Sequence, residues 1–449
     1  MSDYLAQHSG RDAAAALSAS LPELVAALSI GLDAAEGQDP GHAARVAYVA
    51  TRIADHLALG EEVRRSAFYA GILHDIGVPL AAARAGLQPV VDEDVVFGPA
   101  MDQAGDGHAP RLTLDQRTQA TMLQAAHLRA GSDFLEQPWF PQDISEAVAA
   151  SHENWAGDGA PGERQGEEIP IVARLLRAAD LFDAVVAQVA NPLTARARAR
   201  AEVAGWSGQA LQPEIAEALS EVAGHDDFWL GLYDGEITQG IIDEAPTSGV
   251  AASPALLRAF SEAVSEIIDI KSGHLAGRGQ RVAAYARAIA STLGVNPLRV
   301  ELIGLAALWN DIGTLGVPNR ILAKPSLLSV EEMERMRGHP SFSGRILERV
   351  PVLDNAAVWV SGHHERIDGK GYPEMLSGSE IGSEAGILSL ADAYVAMISP
   401  RPYRGPLPVE DARAIIDAGA GTQWDPFLVK VLLELVRHEA PESVATSAS

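Results

Sequence analysis

Hydrophobic residues recur at helical spacing through most of the chain. In the stretch that begins at His42, apolar side chains follow one another at three- and four-residue intervals and form one face of an amphipathic helix. Proline and glycine separate this stretch from others like it, including residues 13–32, which predict a helix broken or restarted near Pro22. No segment approaches the roughly 18 uninterrupted apolar residues that indicate a membrane-spanning helix. The pattern predicts an all-α protein without a membrane partner.

One apolar helical stretch ends in two residues with metal-binding side chains. His74 and Asp75 are adjacent, and Gly77 then interrupts the helix. Neighbouring residues of a helix do not share a face, so this pair can contact one ion only near a helix end. At that place the aspartate can also reach a second ion. The stretch therefore predicts a metal site at the end of a helix.

The spacing around this pair occurs twice in the chain. Equal intervals of 9, 32, 25 and 28 residues separate corresponding polar positions in the two halves. One interval differs, at 53 residues in the first half and 29 in the second, and an acidic, glycine-punctuated insertion at residues 84–112 accounts for it. A duplicated domain explains the pattern. The paired positions are Asp33 and Asp269, His42 and Arg278, His74 and Asn310, His127 and His339, His152 and His364, and Asp180 and Asp392.

The duplication defines the predicted domains. The first spans residues 13–242 and the second residues 255–440, and they are joined by a linker at 243–254 that is rich in Ala, Pro, Ser and Gly. Because duplicated domains can bury the surface that single-domain relatives use to dimerise, we expect an intramolecular pair about a pseudo-two-fold axis, with a homodimer as a further possibility.

Composition restricts the class of partner. The net charge of −26 and the pI near 4.8 argue against binding nucleic-acid polymers through their phosphates. A small phosphorylated nucleotide stays possible, because a metal site outweighs a diffuse surface charge locally. The chain has no cysteine, which excludes disulfides, iron–sulfur clusters and thiolate zinc sites. A cytoplasmic location is the expectation.

The second half carries a continuous motif with flanking segments. The motif is His363-His364-Glu365-Arg366-Ile367-Asp368-Gly369-Lys370-Gly371-Tyr372-Pro373, and the flanking segments are Asp311-Ile312-Gly313, Gly316-Val317-Pro318 and Arg401-Pro402-Tyr403-Arg404. With these residues the sequence resembles the HD superfamily of metal-dependent phosphohydrolases, and specifically its HD-GYP branch. The resemblance implies two tandem HD-type helical bundles.

The resemblance also implies a binuclear metal centre in the first half, with two divalent ions, Fe or Mn being favoured. Two ions about 3.5–4 Å apart can activate a bridging hydroxide and stabilise charge on a phosphoryl group. Asp75 would be the bridging and catalytic residue. The implied ligands are His42, His74, Asp75 and Asp180 for one ion and Asp75, His127 and His152 for the other.

Each half departs from the pattern of the branch at different places. The first half has Ser151 for the first histidine of the pair, Val78 for a lysine and Ala160 for the tyrosine. The second half has Arg278 and Asn310 at two ligand positions. A fixed positive charge and a poor transition-metal ligand favour a pseudoenzyme that packs against the first half or binds a ligand. Five residues could still hold one ion weakly: Asp311, His339, His363, His364 and Asp392.

By resemblance, the predicted function is hydrolysis of a small (cyclic di-)nucleotide phosphodiester by a metal-dependent phosphodiesterase, and cyclic di-GMP is the usual substrate of the branch. Arg45, Arg174 or Arg177 would contact the phosphate, and Asp183 is interpreted as a turn or capping residue. Two alternatives stay open: a catalytically degenerate nucleotide-sensing or scaffolding protein, and an HD-fold di-iron oxygenase, which uses the same six-ligand set.

Overall fold

The predicted all-α fold is confirmed. The computed structural model describes residues 17–38, 40–85, 96, 113–189, 192–246, 250–273, 277–400 and 405–437. Within these ranges the chain is helical, and the strand-like pairings are isolated bridges. None of the described helices combines the length and the apolar character that crossing a membrane requires. Most of the acidic insertion at 84–112 and the predicted motif at 401–404 lie outside the described residues.

The chain divides into two compact units. The N-terminal unit is Leu21–Ala251, and the C-terminal unit comprises the described residues from Ala252 onward together with residues 17–20. Those first residues join the C-terminal unit where Ala19 forms an isolated bridge with Ser253. The division falls inside the predicted linker at 243–254, while the predicted domain limits and the pseudo-two-fold pairing stay predictions.

Eleven described α-helices form the N-terminal unit, with a short 3₁₀ turn at Gly166–Glu168. They are α1 Leu21–Glu36, α2 His42–His56, α3 Gly60–Leu73, α4 Val78–Arg84, α5 Leu114–Leu135, α6 Ile144–Ala149, α7 Ile171–Ala187, α8 Pro192–Trp206, α9 Pro213–Val222, α10 Asp226–Leu232 and α11 Ile237–Asp243.

Ten described α-helices form the C-terminal unit, with 3₁₀ turns at Ile312–Gly316 and Gly378–Glu380. They are α12 Pro254–Lys271, α13 Arg278–Thr292, α14 Pro297–Trp309, α15 Asn319–Leu322, α16 Val330–Arg337, α17 His339–Leu347, α18 Asp354–Ser361, α19 Ser383–Ile398, α20 Val409–Gly419 and α21 Pro426–Leu435.

The beginning of α1 corrects the prediction of a helix over residues 13–32. Residues 17–20 are not helical, and the helix begins at Leu21 and continues to Glu36. Pro22 therefore lies in the first turn, which agrees with a helix that starts near this proline and not with a break inside a longer helix. A proline is tolerated there because the first amides of a helix have no intrahelical acceptor.

The start of α2 is fixed by an aspartate of the preceding helix. Asp33 is buried, and its carboxylate accepts hydrogen bonds from the amides of Gly41 (2.7 Å) and Ala43 (3.1 Å). Gly41 has a φ of 89°, which glycine adopts without strain. Asp33 thus satisfies free amides at the helix start and places His42, the first residue of α2, inside the unit. Its counterpart Asp269 accepts from the Gly279 amide at 3.2 Å.

Two glycines allow the helices around the His-Asp pair to approach closely. A Cβ on Gly71 would lie 2.6 Å from the Cα of Ala47 in α2, and one on Gly77 would lie 1.9 Å from the carbonyl oxygen of His127 in α5. Close packing of α2 against α3 and of the turn after α3 against α5 therefore depends on the missing side chains. These contacts bring residues distant in sequence to the end of α3.

We expect Gly77→Ala to lower the stability of the N-terminal unit by about 1–3 kcal/mol, because the new methyl group forces the turn away from α5. The measurement is thermal unfolding followed by circular dichroism. The control is Gly205→Ala, because a Cβ at this exposed helical position meets nothing within 4 Å. Alanine also favours the helix more than glycine does, so this variant should not lose stability. An unchanged midpoint for Gly77→Ala would contradict the packing argument.

Candidate metal centre

The end of α3 and the start of α2 bring three predicted ligands together. His74 Nε2 lies 2.6 Å from Asp75 Oδ2, and His42 Nε2 lies 3.6 Å from the same oxygen. The two imidazole rings are 5.2 Å apart between centroids. All three residues are buried. The prediction that this His-Asp pair lies at a helix end agrees with its position directly after Leu73.

Hydrogen bonds fix how both histidines face the aspartate. His74 Nδ1 lies 2.9 Å from the carbonyl oxygen of Gly71, which can only accept, so Nδ1 carries the proton. His42 Nδ1 lies 2.8 Å from Asp183 Oδ2, another acceptor. In the neutral imidazoles both Nε2 lone pairs therefore point towards Asp75. Two lone pairs and a carboxylate that face one another form the arrangement a bound cation stabilises.

The pKa shifts in this cluster also indicate that a positive charge is stabilised beside Asp75. Burial lowers the pKa of His42, but hydrogen bonds to Asp183 and Asp75 outweigh it and hold the pKa well above its usual value. Burial raises the pKa of Asp75, yet the neighbouring His74 and His42 hold it well below its usual range. Asp75 is thus a buried carboxylate that keeps its charge. A divalent ion would supply the compensating charge that protonated histidines otherwise provide.

Asp180 and His152 lie on the more open side of the cluster. Asp180 projects from α7, and its carboxylate forms a group with His42 and His74 in which the ligand atoms lie within 4.8 Å of one another. Asp180 and His152 are half-buried, whereas His42 and His74 are buried. The exposed side therefore gives a ligand access to the group.

The predicted second group is assembled more loosely. The rings of His127 and His152 are 5.0 Å apart between centroids, and both feel the charge of Asp75. Burial lowers the pKa of His127, while burial together with the charges of His127 and Arg177 holds that of His152 well below its usual value. Both are therefore neutral, as metal binding requires. Among the described residues, they belong to no three-residue group with all ligand atoms within 4.8 Å.

The sequence analysis missed Glu36, the last residue of α1. This buried carboxyl forms a group with His42 and Asp75 with ligand atoms within 4.8 Å. Burial and the nearby charge of Asp75 hold its pKa well above the usual value. The available signal was its position at the end of an apolar helix, six residues before His42. Glu36 is therefore placed to offer a further oxygen ligand to an ion once it loses its proton.

Asp183 corrects a prediction, because it is neither a turn nor a capping residue. It lies inside α7 and is 1% exposed. One carboxylate oxygen accepts from His42 Nδ1, and Arg45 Nε donates to the other at 2.6 Å. Arg45 Nη2 donates to the first oxygen at 3.0 Å. Asp183 therefore positions His42, and Arg45 holds Asp183 in place.

The three arginines predicted to contact phosphate have different environments. Arg45 contacts Asp183, as described above. Arg174 donates to Gln212 Oε1 at 2.6 Å and lies over the ring of Trp155. Arg177 donates to Asn154 Oδ1 at 3.0 Å, and its Nη1 lies 3.9 Å from Asp180 Oδ2. Arg177 is therefore the arginine of the three that lies beside the open side of the centre.

In the C-terminal unit an arginine lies where the first ion would bind. Arg278 is buried, and it donates to Asp392 Oδ1 at 2.6 Å and to Asp311 Oδ2 at 3.2 Å. Burial opposes its charge, but Asp392 and Asp311 raise its pKa above the usual value. The carboxylates that correspond to Asp180 and Asp75 are thus neutralised by a guanidinium. These residues do not fit a binuclear centre.

A glutamate organises the loop that follows His152 in the N-terminal unit and the loop that follows His364 in the C-terminal unit. Glu365 accepts from the amides of Glu374 (2.7 Å) and Leu376 (3.0 Å), and Tyr372 of the same loop packs on His364 with ring centroids 4.9 Å apart. In the N-terminal unit Glu153 accepts from the amide of Glu163 at 2.8 Å, and from those of its two chain neighbours. The predicted departure Ala160 is exposed there, so the aromatic contact is missing.

A family model of the HD domain matches the sequence in two segments, residues 112–204 and 262–428, which together cover more than half of the chain. The chain belongs to the HD-domain family. The predicted family of metal-dependent phosphohydrolases is thereby confirmed. A model of the HDOD domain also matches residues 16–154.

Curated relatives of this HD-domain protein include phosphodiesterases from two bacteria. A 3′3′-cGAMP-specific phosphodiesterase 3 of Vibrio cholerae serotype O1 is 29% identical over 430 residues, covering 90% of this chain and 92% of the relative. A cyclic di-GMP phosphodiesterase of Thermotoga maritima is 40% identical over 158 residues, covering 35% of this chain and 43% of the relative.

A solved structure resembles the HD-domain protein over nearly its whole length. The crystal structure of a cyclic GMP-AMP-specific phosphodiesterase of V. cholerae superposes with a TM-score of 0.66 at 26% identity. The match covers 95% of this chain and 99% of that one.

We expect Asp183→Asn to weaken metal binding in the N-terminal unit by about 10–100-fold, because the lost carboxylate no longer fixes the His42 tautomer and ring. The measurement is titration of metal-free protein with Mn²⁺ in competition with a chromophoric chelator. Asp226→Asn is the matched control, since its side chain is 87% exposed and pairs with Arg196. A Kd for Asp183→Asn within twofold of the unmodified chain would refute the positioning role.

Proposed function

We propose that this HD-domain protein hydrolyses a phosphodiester bond of a 3′3′-linked cyclic dinucleotide at the metal centre of its N-terminal unit. The enzyme class is a metal-dependent phosphodiesterase, in agreement with its curated relatives. The choice of unit rests on one observation. His42, His74 and Asp180 present ligand atoms within 4.8 Å of one another, whereas Arg278 fills the corresponding position of the C-terminal unit.

The donor set fits two divalent ions that prefer nitrogen and oxygen ligands, with Fe and Mn favoured. His42, His74, Asp75 and Asp180 would hold one, Asp75, His127 and His152 would hold the other, and Glu36 lies close enough to add an oxygen. Such ions supply an activated water and stabilise charge on the phosphoryl oxygens. His127 and His152 enter this chemistry neutral, since burial lowers the pKa of each.

Residues around the predicted ligands have separate roles in this proposal. Asp75 keeps a buried negative charge at the place where both predicted ligand groups meet. Asp183 fixes the orientation of His42, so that its Nε2 faces Asp75 and would be free to bind an ion. Arg177, next to Asp180, lies on the open side and would donate hydrogen bonds to a non-bridging phosphate oxygen of the substrate. In this proposal Arg45 acts on the ligand set through Asp183 and does not contact phosphate.

The extent of similarity favours 3′3′-cGAMP over cyclic di-GMP. The V. cholerae relative that acts on 3′3′-cGAMP matches across 90% of this chain, whereas the T. maritima cyclic di-GMP relative matches across 35%. The N-terminal unit also departs from the HD-GYP pattern beside the centre, where Val78 is buried and Ala160 is exposed. A site without the lysine and tyrosine of the branch is expected to act slowly on the usual substrate of that branch.

We expect the Mn²⁺- or Fe²⁺-loaded chain to linearise 3′3′-cGAMP and to hydrolyse cyclic di-GMP at least tenfold more slowly in kcat/KM. Asp75→Ala should reduce both activities by about 10³-fold or more, since it removes a ligand shared by both ions. Product formation is measured by chromatography of the nucleotides.

The matched control is Asp311→Ala, which alters the same position of the C-terminal unit. Its rate should stay within about threefold of the unmodified chain. Loss in Asp311→Ala alone would place the activity in the C-terminal unit, and equal loss in the two variants would contradict its assignment to the N-terminal unit alone. Identical rates with and without oxygen are expected for hydrolysis, and an oxygen-dependent product would favour the di-iron oxygenase alternative.

Substitutions of Arg45 and Arg177, two of the arginines predicted to contact substrate, should have different effects on kinetics and on metal binding. Arg177→Gln is expected to lower kcat/KM about tenfold or more without changing the Kd for Mn²⁺, because the phosphate loses a charged donor. Arg45→Gln is expected to weaken Mn²⁺ binding, because Asp183 loses the guanidinium that holds it. Enzyme kinetics and chelator competition on the same preparations measure both quantities. Weaker Mn²⁺ binding in Arg177→Gln, together with a lower kcat/KM but unchanged Mn²⁺ binding in Arg45→Gln, would contradict the proposed roles.

A further inference from the structure

The C-terminal unit retains a compact set of metal-binding side chains. Asp311, His339, His363 and His364 present ligand atoms that all lie within 4.8 Å of one another. His339 and His363 are buried, while His364 is half-buried at the edge of the group. These residues correspond to the second predicted ion position, which the N-terminal unit assembles more loosely.

Two histidines of this group are oriented towards a single carboxylate oxygen. His339 Nδ1 lies 2.7 Å from the carbonyl oxygen of Met336, and His363 Nδ1 lies 2.5 Å from that of Val360. Because a carbonyl only accepts, both Nδ1 atoms carry protons. Each Nε2 then faces Asp311 Oδ1, at 3.2 Å and 3.6 Å, and makes no hydrogen bond of acceptable geometry. Two imidazole nitrogens that face one carboxylate oxygen are stabilised either by protons on Nε2 or by a bound cation, and a metal ion can contact all three groups at once.

Asp311 divides its two oxygens between different partners. Oδ1 faces the histidines, whereas Oδ2 accepts from Arg278 Nη1 at 3.2 Å. The other end of the Arg278 guanidinium binds Asp392 at 2.6 Å. Asp75 of the N-terminal unit would bridge two ions in the same way. In the C-terminal unit the guanidinium supplies the charge on one side of the bridge, and the side facing the histidines is left for an ion.

We propose that the C-terminal unit binds one divalent transition-metal ion through Asp311, His339, His363 and His364, beside the Arg278 guanidinium that replaces a second ion. Three imidazoles and one carboxylate favour Mn²⁺, Fe²⁺, Co²⁺ or Zn²⁺ over Mg²⁺ or Ca²⁺. The half-buried side of His364 leaves the ion accessible to a small ligand. The unit is therefore a one-ion site with a built-in cation, and it differs from a two-ion hydrolytic centre.

The test uses the full chain with its N-terminal centre disabled by His74→Ala and Asp75→Ala. Metal-free protein is dialysed against Co²⁺, and bound metal is counted by elemental analysis and by the visible absorption of cobalt in a nitrogen-rich site. The expected result is one Co²⁺ per chain. No bound Co²⁺ in a chain that retains its helical circular dichroism would overturn the proposal.

Further substitutions in this background locate the ion. His364→Gln is the mild variant, because that side chain is half-buried, and it should raise the Kd for Co²⁺ about tenfold or more. His225→Ala, which alters an exposed histidine, should leave the Kd unchanged. If His364→Gln binds as tightly as its background, the ion lies elsewhere and the proposal fails.

The replacement of an ion by Arg278 has its own test. Restoring the missing ligands with Arg278→His and Asn310→His together should raise the count from one Co²⁺ to two. Asn310→His alone should leave it at one, because the guanidinium still binds both carboxylates. A second ion bound by Asn310→His alone, or a count that stays at one in the double variant, would contradict the role of Arg278. None of these counts depends on hydrolysis, so they stand or fall independently of the proposed activity.

Discussion

An aspartate at the end of an apolar helix, buried in the N-terminal unit and half-buried in the C-terminal unit, sets the main constraint on both units. Asp75 follows α3 and Asp311 follows α14, and each is an ionised carboxylate held among histidines. Removing the partner of a buried charge lowers the stability of a protein by roughly 3–5 kcal/mol. The fold must therefore place positive charge next to each aspartate. In the N-terminal unit the residues fit divalent ions for that purpose, and in the C-terminal unit Arg278 supplies part of the charge.

The two units satisfy this constraint on opposite sides of the aspartate. The N-terminal unit gathers His42, His74 and Asp180 tightly, and its His127 and His152 lie further from that group. The C-terminal unit gathers its histidines tightly and fills the other side with a guanidinium. An arginine cannot lose its proton at ordinary pH. The side of Asp311 that faces Arg278 is therefore permanently occupied by a positive charge and cannot bind a metal ion. The units thus differ in where a metal ion can bind, which explains how one fold serves a catalytic and a non-catalytic role in this proposal.

Much of the architecture was predictable from spacing and pattern, but the supporting contacts were not. Periodic apolar residues indicated the helices, and the resemblance to the HD superfamily implied His42, His74 and Asp180 as ligands, whose ligand atoms the structure brings within 4.8 Å of one another. Asp183 was misinterpreted, since a pattern along one helix does not show which side chain of another helix it will meet. Glu36 was missed for the same reason. The environment of Arg45 likewise depends on the packing of α2 against α7, which the sequence of either helix alone does not contain.

The central claim is that the N-terminal unit carries the catalytic metal centre and that the C-terminal unit binds one ion beside Arg278. Crystals grown with Mn²⁺ and measured at the manganese absorption edge test it most directly, because anomalous scattering locates each ion independently of activity. The account predicts two peaks around Asp75 and one on the histidine side of Asp311. Two peaks around Asp311 with none at Asp75 would contradict it.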